Sequence, residues 1–421
     1  MVSGSRVSFG AVFVAVTIGT GLVVGALLLN AQRPVLERTQ PSAAMALATG
    51  KCAECHRRET SAIVHEYEGS KHAAVGVNCL DCHRPVAGQA ALEHRGFTIA
   101  QTPTAKNCQE CHATEYEQFA RSRHAAPAWA SVNGPADFTP AQLALGERHH
   151  PGWVKRTPMT IGSLEGASAI ASGCNSCHAI GKPNPDGSFG TCTQCHGRHS
   201  ASVELAREPT TCGQCHMGPD HSQLEIYGES KHGALFVAQR ATMNLKQAPK
   251  HLTTADMPVP TCATCHMSGL EGMNVTHDTT ERLSWFLFAP LSTKRPDGDR
   301  GQTAMKEVCT KCHARSRIDR FYTSAEQVLS ATNEKVQAAS AVVAALRTEG
   351  LLTATPLDEP IEFREFDLWH YYGRTAKHGA FMGGADFVQW HGNYELLRQR
   401  VELDAAAAAL RRAKAAQVEA H

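Results

Sequence analysis

Aromatic residues are scarce in this 421-residue chain, at 6% of the total. Glycine and proline are plentiful, at 34 and 20 residues. A chain this long ordinarily supports two or three domains, but so few large apolar side chains leave only a thin core. Charge of either sign is not in excess: 41 Lys and Arg face 40 Asp and Glu. That balance offers no basic face and so no nucleic-acid partner is expected. No Gly-x-Ser-x-Gly elbow is present and no cysteine lies outside one recurring pattern. A conventional nucleophilic hydrolase, a thiol nucleophile and a disulfide framework are therefore excluded. Long apolar runs are absent except for one, residues 7–29.

What is present is Cys-x-x-Cys-His, eight times, using all sixteen cysteines. The copies are Cys52/Cys55/His56, Cys79/Cys82/His83, Cys108/Cys111/His112, Cys174/Cys177/His178, Cys192/Cys195/His196, Cys212/Cys215/His216, Cys262/Cys265/His266 and Cys309/Cys312/His313. This is the mark of covalent c-type haem attachment, in which two thiols hold the porphyrin and the adjacent imidazole binds iron. A zinc half-site or a redox Cys-x-x-Cys would not need a histidine directly after every second cysteine. Eight covalently attached c-type haems are expected, supplying the buried apolar surface that the side chains lack. With two propionates per haem and one positive charge per ferric porphyrin, the formal +1 becomes about −7, and many arginines are expected to face propionates. The spacings vary from 18 to 66 residues, which argues against a solenoid. Short helices and loops around a fixed haem array fit better, each motif bringing thiols and imidazole to one helix face.

The expected fold is mainly α: a multihaem cytochrome c fold with a C-terminal long-helix region and an N-terminal membrane anchor. Residues 1–31 read as a transmembrane anchor or signal sequence, 32–50 as a linker, 51–320 as the octahaem-binding domain and 321–421 as a C-terminal helical domain. The apolar run is about long enough to span a bilayer, and LNAQ is a poor cleavage site. Because c-type haem is attached outside the cytoplasmic membrane, the body is expected on its periplasmic side, N-terminally anchored, or in the periplasm if the run is cleaved. Apolar spacing at Val328, Leu329, Val336, Ala339, Val342 and Val343 predicts a helix from Ser324 to Gly350. A second is predicted from about Tyr394 to Glu419.

Fifteen of the 23 histidines lie outside the motifs. A haem with two imidazoles is suited to electron transfer, whereas a missing sixth ligand leaves iron open to substrate. Seven histidines in short polar contexts are the candidate distal ligands: His72, His94, His124, His199, His232, His277 and His378. Seven for eight haems leaves one iron open. His199 is so close to His196 that it is expected on a neighbouring haem, and His391 competes with His378. His65, His149, His150, His251, His370 and His421 are read as surface or loop residues.

Several long stretches resemble the octahaem hydroxylamine oxidoreductase family: GCNSCHAIGKPNPDGSFGTCTQCHGRHS, TCGQCHMGPDHSQLEIYGESKHG, THDTTERLSW and HGAFMGGADFVQWHG. The resemblance implies seven bis-histidine haems and one five-coordinate catalytic haem, the fourth in order, here with His178 proximal. It places Asp220 and His221 over that iron as a proton-moving pair. It also implies a small inorganic nitrogen substrate, a redox partner that is a cytochrome c or a membrane quinone-linked protein, and a homotrimer. Oxidising members carry a tyrosine cross-linked to the catalytic porphyrin, and Phe387 stands at that position. Tyr371, Tyr372 and Tyr394 lie nearby but do not match it. The expected function is nitrite or hydroxylamine reduction to ammonium, with hydroxylamine oxidation or a purely electron-transferring cytochrome as alternatives. An open haem would separate the enzyme readings from the last.

Overall fold

A computed structural model describes residues 43–419, with side chains from residue 50 onward. Two compact units divide it, residues 1–52 and 53–421. Among the described residues no helix is long and apolar enough to cross a membrane; the run 7–29 lies outside them. The second unit is mainly helical, and among the described residues its one sheet is a hairpin. That hairpin pairs Leu92–His94 with Phe97–Ile99, in register Leu92 to Ile99 and His94 to Phe97.

Seven of the motifs share one local geometry; in the fourth, Cys174 ends the π-turn Ile170–Cys174 and His178 ends the short helix Asn175–His178. The first lies within the helix Ala43–Glu59, the second forms Cys79–His83 and the seventh forms Cys262–His266. Where the helix stops earlier, a single α-turn persists: the His112, His196, His216 and His313 amides donate to Cys108, Cys192, Cys212 and Cys309 carbonyls at 2.8–3.1 Å. First thiol and imidazole therefore stand on one face whether or not a full helix forms. Such short helices need their ends satisfied. Asn78 with Asp81, and Thr261 with Thr264, do so as capping boxes.

The KPNPDG stretch between the fourth and fifth motifs is a tight loop closed by the Asn184 amide donating to the Ser188 carbonyl at 2.9 Å. Asp186 accepts from Thr104 Oγ1 at 2.5 Å and Gln89 Nε2 at 3.0 Å, tying the loop to the link between motifs two and three. Gly190 at its end has φ +54°, and a Cβ there would meet the Ile180 carbonyl oxygen at 1.9 Å. No other residue fits.

Side-chain cores are small, as the composition predicts. The largest gathers Val336, Ala339, Val343 and Leu346 against Ile361, Leu368, Ala376, Leu396, Leu403 and Ala407. The helix carrying the first four runs Arg315–Thr348, nine residues earlier at its start than the apolar pattern predicts. Its buried residues fall at alternating steps of four and three from Ile318 through Leu329 to Leu346, a seam of the kind that packs helices nearly aligned. Val328 and Val342 flank this seam half-buried. The second long helix is Glu395–Glu419. Between them lie Pro360–Asp367 and Arg374–Met382, interrupted by π-turns at Leu368–Gly373 and Gln389–Tyr394.

Candidate functional site

Five proximal imidazoles face a predicted distal one. Ring centres are 6.2 Å apart for His56–His94, 6.1 Å for His72–His112 and 5.9 Å for His124–His216. They are 6.3 Å apart for His196–His277 and 6.0 Å for His232–His313. Two imidazoles on one metal ion need about 6 Å, from about 2 Å per metal–nitrogen bond and about 1.1 Å from nitrogen to ring centre on each side. The pairs thus leave room for an iron, and the residues fit a bis-histidine haem.

Hydrogen bonds aim the rings. Nδ1 of His83 lies 2.8 Å from the Ala100 carbonyl and Nδ1 of His178 lies 2.6 Å from that of Ala128. His56 Nδ1 lies 2.7 Å from Thr60 Oγ1. A ring whose Nδ1 donates in this way presents an unprotonated Nε2 to metal. Burial pushes His124 down to about 4 and His216 to about 3, keeping both neutral as a ligand must be. His277 has a buried Nδ1 without a hydrogen-bond partner.

The remaining predicted ligands are placed differently. His199 lies within electrostatic range of both His83 and His56. His266 is half-buried, with its carbonyl accepting from Arg282 at 2.8 Å, and lies near His124. His378 is buried with its Nδ1 on the Arg374 carbonyl at 2.9 Å, and the ring beside it is Phe288, at 4.6 Å. His391, its competitor, is exposed and pairs with Asp386 at 3.0 Å.

Thiols of different motifs are neighbours. Cys108 lies beside Cys192, Cys212 beside Cys262, and Cys177 beside Cys215. Cys82 lies near Cys108, Cys195 near Cys212, and Cys265 near Cys309. The motifs therefore connect in the order two, three, five, six, seven, eight, with the fourth branching from the sixth.

Cys55 is half-buried near the end of the helix Ala43–Glu59. Cys111 is exposed, stands on the turn between the helices Ala105–Gln109 and Ala113–Arg121, and lies near Cys82.

The fourth motif has the most elaborate surroundings. His178 Nδ1 also lies 3.1 Å from Ser131 Oγ. Opposite it stands His221, 6.5 Å between centres with planes at 85°, and His221 is 6.2 Å from His216 as well. Asp220 Oδ2 accepts from His221 Nδ1 at 2.6 Å, and Arg374 approaches the same oxygen at 3.8 Å. Burial alone would raise the Asp220 carboxyl; His221, His370 and Arg374 outweigh it and hold it below the usual range. Thr375 Oγ1 donates to the Pro219 carbonyl at 3.4 Å, fastening this segment to the Arg374–Met382 helix.

Two histidines read from sequence as surface residues are buried, His150 and His370. His370 belongs to the site: its Nε2 accepts from Arg374 at 2.9 Å, and burial pushes it down to about 3. Arg374, Lys377 and Phe288 join it there without any motif to announce them. The Phe387 ring packs on His391 at 4.8 Å.

A family model described as "Seven times multi-haem cytochrome CxxCH" matches residues 75–360, a span that holds seven of the eight motifs and omits the first. A probable nitrite reductase-hydroxylamine oxidoreductase fusion protein of Kuenenia stuttgartiensis is 25% identical over 368 residues, 74% of this chain and 39% of that protein. The chain thus spans about two fifths of that curated relative. Two solved structures share the fold. A hypothetical multiheme protein superposes with TM-score 0.75 at 23% identity, over 91% of this chain and 99% of that one. A reducing HAO-like protein complex of Kuenenia stuttgartiensis superposes with TM-score 0.69 at 21% identity, over 91% and 90%.

Proposed function

Because the chain belongs to the multi-haem cytochrome CxxCH family, we propose that it is an oxidoreductase of small inorganic nitrogen compounds. It carries eight c-type haems, one per motif, and works at the one held by Cys174, Cys177 and His178. The observation that carries this reading is the Asp220–His221 pair set across from His178 and backed by Arg374 and His370. An open haem iron, when bound, supplies a site where a nitrogen substrate exchanges electrons. Around it the protein handles protons. Asp220 accepts from His221 Nδ1, orienting Nε2 towards the space above His178, where it can give or take a proton. Arg374 keeps Asp220 ionised and so keeps that orientation.

The thiol contacts support the rest of the proposal. They line up six attachment sites with a branch to the fourth, a store from which several electrons can be drawn in one turnover. We assign His94, His199, His72, His277, His124 and His232 as sixth ligands to the haems of His56, His83, His112, His196, His216 and His313; His378 completes the proposed set. Reduction of nitrite or hydroxylamine to ammonium is the favoured direction, since Phe387 cannot form the porphyrin cross-link of oxidising members. Mass spectrometry of haem peptides tests this point: a bond to Tyr371, Tyr372 or Tyr394 would restore hydroxylamine oxidation. The same peptides report whether Cys55 and Cys111 carry thioethers. An anchored homotrimer fed by a cytochrome c or a membrane quinone-linked protein on the periplasmic side completes the proposal. The exposed Trp390 and Tyr394 on the turn Gln389–Tyr394, with Leu397 and Val401 on the helix Glu395–Glu419 that follows, support assembly through this segment.

One observation favours a second reading. The 6.5 Å between His178 and His221 is close to the spacing of the other pairs, so His221 could itself be a sixth ligand in a purely electron-transferring cytochrome. Electron paramagnetic resonance of the oxidised protein decides. A high-spin ferric component of about one haem in eight is expected; wholly low-spin haem would sink the enzyme reading.

A further inference from the structure

The loop enclosed by the Trp285–Lys294 bridge brings an aromatic ring to the proposed reaction site. The hairpin-like turn is closed by the Phe286 amide donating to the Thr293 carbonyl at 2.9 Å, with Phe288 near its tip. The Phe288 ring lies 4.9 Å from His221 on one side and 4.6 Å from His378 on the other. Yet 36% of the residue remains exposed. A single side chain therefore reaches from solvent to the imidazole that faces His178.

Its position is held from behind. Arg374 Nε donates to the Phe288 carbonyl at 3.0 Å, and its guanidinium sits 5.3 Å from the Phe288 ring centre. Lys377, one turn along the same helix, donates Nζ to the Ala289 carbonyl at 2.8 Å and to that of Pro290 at 3.3 Å. Lys377 has no exposed surface, and a buried ammonium is costly unless its protons are used. Both cations are spent on three successive carbonyls of one loop. Such a clamp fixes the tip, and the tip residue is Phe288.

We propose that Phe288 is the specificity-determining residue of the His178–His221 site, a clamped aromatic wedge that admits ligands of a few heavy atoms and rejects larger ones. The inference rests on the open-haem reading given above. Phe288 has no polar group to offer a substrate, so it acts through volume: it narrows the approach to His221 and sheds water from the Asp220–His221 pair.

The test uses the haem-loaded protein and stopped-flow absorbance, with cyanide and imidazole as small and large iron ligands. Phe288→Ala is expected to raise the imidazole association rate about tenfold or more, and to change the cyanide rate less than about threefold. Phe288→Leu should fall between. The low-spin spectrum, unchanged in all three proteins, reports intact folding. An imidazole rate equal in wild type and both variants overturns the role of Phe288 while leaving the open haem in place. A wild type that binds neither ligand and shows no high-spin signal overturns the open-haem reading itself, and the wedge with it. Lys377→Met gives an independent reading of the clamp: imidazole should again bind faster, and an unchanged rate would show that the loop needs no clamp.

Discussion

The imidazoles of His196 and His277 stand 6.3 Å apart with their planes only 24° from parallel. They are separated by about eighty residues of chain, and no hydrogen bond joins one ring to the other. That separation suits the shared iron proposed for them, and the consequence is testable.

His277→Ala should remove one sixth ligand without disturbing attachment through Cys192 and Cys195. Electron paramagnetic resonance of the oxidised variant should show low-spin intensity reduced by about one haem in eight and high-spin intensity increased to match. Unchanged low-spin intensity would assign His277 elsewhere.

His221→Ala removes the proton-moving group opposite His178. Steady-state nitrite or hydroxylamine reduction should fall about a hundredfold or more, while reduction of the bulk haems by dithionite proceeds as before. Asp220→Asn should show a milder loss, since it keeps His221 in place but weakens its orientation. Full activity in His221→Ala would take that residue out of the mechanism.

Leu403 is fully buried between the two long helices, in the cluster with Val343 and Leu346. Leu403→Ala deletes its packing and leaves a cavity, at about 2–5 kcal/mol. Urea unfolding followed by helical circular dichroism measures this. A cost below about 1 kcal/mol would mean that this core contributes little beside the haems.

Glu362 is buried and accepts from Arg347 and from the Asp358 amide at 3.1 Å. Burial alone would raise its pKa, but Arg347 and the backbone amides outweigh that and hold it below the ordinary value. A depressed carboxyl stabilises the fold above its unfolded value near about 4.3, and that contribution disappears as pH falls through the folded value. Glu362→Gln should therefore lower stability at pH 7 by about 2 kcal/mol and flatten the acid limb below about pH 4. Parallel acid limbs in the two proteins would refute the assignment.

The attachment motifs were legible because covalent chemistry demands a fixed local spacing, which no tertiary context can alter. Which motifs are neighbours was not: nothing in the chain order puts Cys177 beside Cys215, and only the fold does. Distal ligands were partly legible: His72, His94, His124, His232 and His277 each face a motif imidazole, and polar flanks were the only signal. The remainder of the Asp220–His221 surroundings was not legible. His370, Arg374, Lys377 and Phe288 come from segments 67 to 156 residues beyond His221, and nothing in their local pattern marks them as neighbours of it. His150 and His370 lack polar flanks for a different reason, being packed inside. The helix start was missed because Ile318 and Tyr322 continue the buried seam amid Arg317, Asp319 and Arg320, which dilute its apolar pattern.

The nearness of Cys108 to Cys192, Cys212 to Cys262 and Cys177 to Cys215 bears on how the protein is made. Each brings together thiols of two different motifs, so a chain left without haem carries free thiols that an oxidising compartment can join across motifs. Non-reducing peptide mapping of chain expressed without haem ligation machinery should recover those cross-motif disulfides.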